Sequence, residues 1–200
     1  EALSLKHELI ENALTLVRNE KRIIPILDRP GKIASLAIGA NMLTHFQVML
    51  DDYEYIPRNL APAIIKPDSK TTMLEELGQY DKVIVSLHGM EQSPRSNYGL
   101  DESVIDFIEA LNKKTTVLLV VFGNPYSLKY FDEIDHVIVS YDEDRLTQNL
   151  TAQAIFGALG FKGRLPVSAS EKSRFGVGID TRTAQRVGYS VPERVGMSSD

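Results

Sequence analysis

Thr115-Thr116-Val117-Leu118-Leu119-Val120-Val121-Phe122 is the strongest strand signal in the chain. Its apolar residues are continuous rather than alternating, the pattern of a strand covered on both faces in a parallel sheet. Upstream, Lys82–Leu87 (KVIVSL) reads as a β-branched strand, Ile33–Gly39 as another and Tyr53–Pro57 as a short one; downstream, His136–Ser140 adds one more. Segments of helical length lie between them. These are Ala40–Leu50, a stretch through Leu74 and Leu77 capped by Asp68 or Ser69 and stopped at Gly78, a helix after Asp101 carrying Val104, Ile105, Ile108 and Leu111, and Leu146–Leu159 closed by Gly160. Strands alternating with helices mean βαβ units with right-handed crossovers. The expected fold class is α/β, a three-layer α/β/α sandwich with a mainly parallel sheet of about five strands.

The flanks are read the same way. Leu5, Leu9, Ala13, Leu16 and Val17 recur at helical spacing, widened by Ile10 and Leu14, and predict one helix over about Leu3–Arg18 with a face to bury. In Ile23-Ile24-Pro25-Ile26 the proline argues against a central strand and predicts an edge or a packed arm. After Phe161 the periodicity dissolves into glycine, serine and charge, so Lys162–Asp200 is expected as an extended tail on the outside. The expected division is a folded domain over 1–168 and a tail or linker over 169–200. The chain opens on Glu1-Ala2-Leu3 and stops within Val195-Gly196-Met197-Ser198-Ser199-Asp200, which leads to the expectation of a piece cut from a longer polypeptide.

Composition removes several function classes. Among 200 residues, 22 basic against 27 acidic side chains give a net charge of −5, and 43% are hydrophobic, a globular balance. The longest apolar run, Val117–Phe122, is far short of the ~20 residues that cross a bilayer, so no membrane span is expected. No basic cluster exceeds Lys113-Lys114, which argues against a nucleic-acid partner. Without cysteine there is no thiol catalysis, disulfide or Cys-ligated zinc. The histidines His7, His45, His88 and His136 are scattered, and no metal site is expected. Walker A, GxGxxG and GxSxG motifs are absent, and Gly176-Val177-Gly178 lacks a strand-turn-helix context, so no cofactor is expected either.

In open parallel sheets, ligands gather at the carboxyl ends of the strands. The loop Ser86–Gly99 follows one such end and holds His88, Glu91, Arg95 and Asn97. Glu91 or His88 reads as a proton-transfer group, and Arg95 or Asn97 as a ligand clamp. The same residues also read as a solvated connection whose Ser, Pro and Gly turn the chain. In Gly123-Asn124-Pro125-Tyr126, after the next strand, Asn124 reads as a turn starter or a binding residue.

Ala13-Leu14-Thr15-Leu16-Val17-Arg18-Asn19-Glu20 with Ile24-Pro25-Ile26, then Val120-Val121-Phe122-Gly123-Asn124-Pro125-Tyr126, then Gln153-Ala154-Ile155-Phe156-Gly157 with Gly163-Arg164-Leu165-Pro166-Val167-Ser168, follow one another along the chain. Together these phrases resemble the C-terminal α/β sandwich domain of glycoside hydrolase family 3. The resemblance runs from about Leu3 to Ser168 and is continued by Phe175-Gly176-Val177-Gly178. The Asn-Pro-Tyr turn is similar to that of bacterial β-N-acetylglucosaminidase-type members. Val191-Pro192-Glu193 and Val195-Gly196-Met197-Ser198 resemble a junction into a serine β-lactamase-like domain.

The resemblance implies a carbohydrate-hydrolysing parent of β-N-acetylglucosaminidase or β-glucosidase type, with a retaining mechanism. Its nucleophile would lie on an upstream (β/α)8 barrel of the same polypeptide, and its location would be periplasmic or extracellular. Lys6-His7 is followed by Glu8-Leu9 and does not match the family's lysine-histidine-phenylalanine-proline-glycine acid-base motif. In β-glucosidase members this second domain lends a general-acid glutamate, for which Glu91 is the local candidate. The fragment is then an accessory domain, inactive alone. The alternative is a stand-alone α/β module binding a small ligand or a protein, because fold by itself assigns no function.

Overall fold

The computed structural model describes residues 2–27, 31–184 and 187–189. Within them, β5 (Thr116–Val121) lies inside a six-stranded sheet between β4 (Lys82–Leu87) and β6 (His136–Val139). β2 (Ile33–Ile38) and β3 (Arg58–Leu60) extend the sheet beyond β4, and β1 (Thr15–Asn19) closes it beyond β6. All neighbours run parallel except β1, which is antiparallel to β6. Val83 lies opposite Val117 and Val85 opposite Leu119, so the two continuous apolar runs meet in register.

Alternation along each strand feeds two cores. Val83, Val85 and Leu87 of β4 pack with Leu77 of α3 (Pro67–Leu77) and with Phe107, Ile108 and Leu111 of α4 (Glu102–Asn112). Ile84, Leu118, Val120 and Phe122 face Phe46 and Leu50 of α2 (His45–Tyr53) and Leu150 and Ile155 of α5 (Arg145–Ile155). With ~1.5–3 kcal/mol for each large side chain withdrawn from water, these two layers are the main stabilising term. The result is the expected three-layer α/β/α arrangement. Ile24 and Ile26 are buried, and the Ile26 N–H donates to the Ile155 carbonyl at 2.8 Å, so this segment is the packed arm that its proline suggested.

The amino-terminal helix differs from expectation. α1 (Ala2–Ala13) stops before Leu14, and Thr15–Asn19 form β1. Leu14 and Leu16 satisfy a period of two, with Val17 facing the other core, as well as a helical spacing, and pairing with β6 settles the choice, with Leu16 opposite Ile138. Leu5 and Leu9 are exposed, at 58% and 62%, while His7 is the buried residue of the helix. The sheet thereby gains an antiparallel edge strand beyond the five expected.

Other boundaries move for local reasons. Tyr53 remains in α2, and the short strand falls at Arg58–Leu60 rather than Tyr53–Pro57. α3 starts with Lys66 as its N-cap and Pro67 in its first turn, not at Asp68 or Ser69, because the fixed φ of proline suits that position. α2 is opened by a capping box between Thr44 and Gln47, and α5 by Asp144, whose carboxylate accepts from the Thr147 N–H at 2.8 Å. α5 ends at Ile155 rather than running on to Leu159.

Residues 162–184 have no regular secondary structure, yet they are tied to β1 and to each other. The Gly163 N–H donates to the Leu14 carbonyl at 3.0 Å and the Ile179 N–H to that of Leu16 at 2.8 Å. Arg164 grips Asp180 with two nitrogens at 2.9 Å each. The Val191–Ser198 phrase lies outside the described residues, as does the rest of 190–200. No described helix is long and apolar enough to cross a membrane.

Candidate functional site

The carboxyl edge of the sheet is built by the segments that follow β2, β4, β5 and β6. Gly39 ends the first of these, with φ +87, a left-handed conformation that glycine adopts without strain. A side chain there would place its Cβ 2.2 Å from the His88 carbonyl oxygen, so the β2 and β4 segments come together only over glycine. The His88 N–H continues the ladder by donating to the Ile38 carbonyl at 2.9 Å.

His88 lies beneath the edge rather than on it. Its side chain is 6% exposed and stacks on Phe122 with 4.9 Å between ring centroids. Nε2 lies 2.9 Å from the Ser86 hydroxyl. Burial lowers its pKa to about 4, so the imidazole is neutral at physiological pH. Glu143 stands 4.0 Å from Nδ1 and favours the charged form, but at that distance a half-exposed carboxylate does not offset desolvation. The hydroxyl partner Ser86 is itself 1% exposed, so this pair belongs to the core and cannot attack a substrate.

Glu91, Arg95, Asn97 and Asn124 are brought to the same edge, and all lie towards solvent. The Glu91 carboxylate accepts from the Ser96 hydroxyl, and its N–H donates to the Tyr98 carbonyl at 2.9 Å. Asn97 and Tyr98 both adopt left-handed φ, at 50° and 61°, a conformation uncommon for side-chain-bearing residues. This tight loop is held because Tyr98 is buried and the Tyr130 hydroxyl donates to Asn97 Oδ1 at 2.8 Å. Lys129 lies over the rings of Tyr98 and Tyr130, at 5.6 and 4.8 Å. Asn124 accepts from the Tyr126 N–H at 3.0 Å and so starts the 3-10 turn Pro125–Tyr130, while its amide donates to Gln92 Oε1 at 3.2 Å. The β4 and β5 loops are therefore clasped to each other.

Glu143 escaped the reading of the sequence. Its Oε2 accepts from the Gly89 N–H at 2.7 Å and ties the segment after β6 to the loop after β4. No local motif announces it, since the two residues are 54 positions apart. Exposed apolar side chains share this edge: Met42 and Leu43 after β2, Ile64 after β3 and Tyr126 after β5, each at least 44% exposed. Among the described residues, no group of three or more His, Asp or Glu side chains is arranged to hold a metal ion.

No family model and no curated protein matches the sequence. Solved structures do. The chain superposes on a fungal multi-domain GH3 β-N-acetylglucosaminidase with a TM-score of 0.63 and 18% identity, over 88% of this chain and 19% of that one. The GH3 β-N-acetylglucosaminidase of Paenibacillus sp. str. FPU-7 gives 0.67 and 17%, over 83% of this chain and 32% of that one. The chain has the fold of one part of family 3 glycoside hydrolases. A GH3 exo-β-xylosidase, XlnD, extends the likeness to another named activity, with a TM-score of 0.61 and 16% identity over 84% of this chain and 25% of that one. This family 3 fold thus accounts for most of the chain, and the chain for a third or less of each of these enzymes. Identities below 20% carry the fold and leave the reaction open.

Proposed function

We propose that the chain is the accessory C-terminal α/β domain of a family 3 glycoside hydrolase, of β-N-acetylhexosaminidase type, whose catalytic (β/α)8 barrel lies on the same polypeptide upstream. The observation that carries the reading is the lopsided coverage: 83–88% of this chain overlies only 19–32% of the two β-N-acetylglucosaminidases. The ordering of phrases along Ala13–Ser168 agrees with it. So does the carboxyl edge, where exposed Met42, Leu43, Ile64 and Tyr126 stand beside Glu91, Arg95 and Asn97. Apolar side chains interleaved with polar ones suit contact between domains of one chain. In this reading the edge faces the barrel and borders its cleft, and His88 supports the loop from below. A periplasmic or extracellular location belongs to the same proposal.

The test is hydrolysis of a chromogenic aryl β-N-acetylglucosaminide by the 200-residue chain alone and by the polypeptide that carries a barrel ahead of it. Turnover only by the longer polypeptide is the expected result. Turnover by the chain alone overturns the accessory role and directs attention to Glu91. Absence of turnover in both removes the glucosaminidase assignment.

A further inference from the structure

The opposite, amino edge of the sheet holds two adjoining depressions. One, of about 490 Å³, lies below the starts of β4, β5 and β6; the other, of about 700 Å³, lies below β2. Gln79 and Tyr80, just after α3, line both, so the two adjoin at this ridge along the edge. Each is the size of a small-ligand site.

Their chemistry differs from end to end. Below β2, Tyr55 is 80% exposed and shares the wall with Tyr80, and the half-buried Glu54 carboxylate has no hydrogen-bond or ion-pair partner among the described residues. Phenol rings with apolar faces, flanked by a carboxylate and the Gln79 amide, match a sugar ring, which presents C–H groups on its faces and hydroxyls around its rim. At the other end stand Lys21, Lys113 and Lys114, all exposed and without an ion pair among the described residues. Lys113 and Lys114 also complement the C-terminal dipole of α4, but that does not account for Lys21, which arrives from the turn after β1. Asp81, which lines the same depression, is occupied elsewhere, since its Oδ2 accepts from the Lys32 N–H at 2.7 Å. Asp135 adds a carboxylate acceptor for hydroxyls. His136, also among the lining residues, is 1% exposed, and neither of its ring nitrogens has a hydrogen-bond partner among the described residues. Buried polar atoms of that kind ordinarily mark a place for water or ligand.

We propose that this amino-edge groove is a non-catalytic binding site for an oligosaccharide bearing a carboxylate, with a sugar ring against Tyr55 and Tyr80 and the carboxylate among Lys21, Lys113 and Lys114. The choice of a saccharide rests on the glycoside hydrolase reading above. The groove lies across the sheet from the edge assigned to the barrel, so it would hold a polymer to the enzyme without entering the cleft.

The test is isothermal titration of the chain with a tetrasaccharide of alternating N-acetylglucosamine and glucuronate, and with its carboxyl-reduced neutral counterpart. The acidic form is expected to bind at least tenfold more tightly, with an affinity that falls as salt rises. Tyr55→Ala should weaken both by about tenfold or more, and the pair Lys113→Ser with Lys114→Ser should remove the preference for the acidic form. All of these side chains are surface-exposed, and circular dichroism checks that the variants fold. Absence of binding by either sugar, equal binding of the two, or binding indifferent to these substitutions overturns the proposal. Aryl glycoside hydrolysis by the barrel-containing polypeptide reads the other assignment separately, so either can fail while the other stands.

Discussion

The guanidinium of Arg18 in β1 donates to the hydroxyl of Ser173, 155 positions later, at 2.9 Å. The same side chain donates from Nε to the Ile134 carbonyl at 2.9 Å and from Nη2 to that of Phe131 at 2.7 Å. One buried cation thus joins the edge strand, the turn before β6 and the segment that packs after α5. Burial lowers its pKa, partly opposed by Asp132 at 3.8 Å. Its acceptors on Phe131, Ile134 and Ser173 all belong to buried residues.

Arg18→Ala should therefore cost about 2–4 kcal/mol, because it opens a cavity and orphans buried acceptors together. Arg18→Lys should recover little of this, since an ammonium cannot span the fork that the guanidinium fills. Urea denaturation checks both, as a lowered midpoint with an unchanged slope. Wild-type stability in the alanine variant would refute the staple.

The buried imidazole of His88 makes stability pH-dependent. Its folded pKa, about 4, lies below the ordinary 6.5, so between these values the unfolded chain binds more protons than the folded one. Stability from this group is complete above pH ~6.5 and is lost as the pH falls towards 4, by about 3 kcal/mol. His136 is shifted the same way by burial and steepens the loss. Thermal melts of wild type and His88→Gln between pH 4 and pH 7 should diverge at neutral pH and converge at the acid end. Parallel curves would show that His88 titrates normally.

Gly39 and Gly89 both hold left-handed φ, yet they should respond differently to alanine. At Gly39 the new Cβ would meet the His88 carbonyl oxygen at 2.2 Å, whereas at Gly89 its nearest neighbour is the Gly39 oxygen at 3.5 Å. Gly39→Ala should cost about 3 kcal/mol or more, and Gly89→Ala about 1 kcal/mol, the backbone strain alone. Chemical denaturation of the two variants side by side decides it, and equal losses would show that close approach is not the constraint.

Under the proposed arrangement, Glu91→Gln in a polypeptide that carries a barrel ahead of this chain should leave kcat within about threefold, because a loop that only borders a cleft does not transfer the proton. A fall of a hundredfold or more would make Glu91 the general acid. Arg95→Ala, with no side-chain partner in the chain to lose among the described residues, should raise KM rather than lower kcat if the edge touches substrate.

Much of the edge could be located from the sequence because it depends on where strands end. His88, Glu91, Arg95, Asn97 and Asn124 follow β4 or β5 directly, and any parallel sheet carries such segments to the same side. Burial could not be read in this way. His88 and Glu91 are three positions apart, but Phe122, just after the neighbouring strand, covers the first, while the second is exposed. Glu143 was invisible for a related reason, since its meeting with the Gly89 N–H requires β6 to be placed two strands away from β4.

The sequence by itself determined the central parallel strands of the sheet, β2, β4, β5 and β6, and their two covered faces. Continuous apolar runs such as Val117–Phe122 can be satisfied only between two layers of helices, and that condition is local to each strand. Tertiary structure alone decided what became of Leu14–Asn19, whose pattern suits helix and strand alike. Backbone pairing with β6 and the acceptors gathered around Arg18 make the strand the lower free-energy choice, and they come from segments more than a hundred residues away. Periodicity reports the face that a residue presents; the neighbour that covers it is settled only when the chain closes on itself.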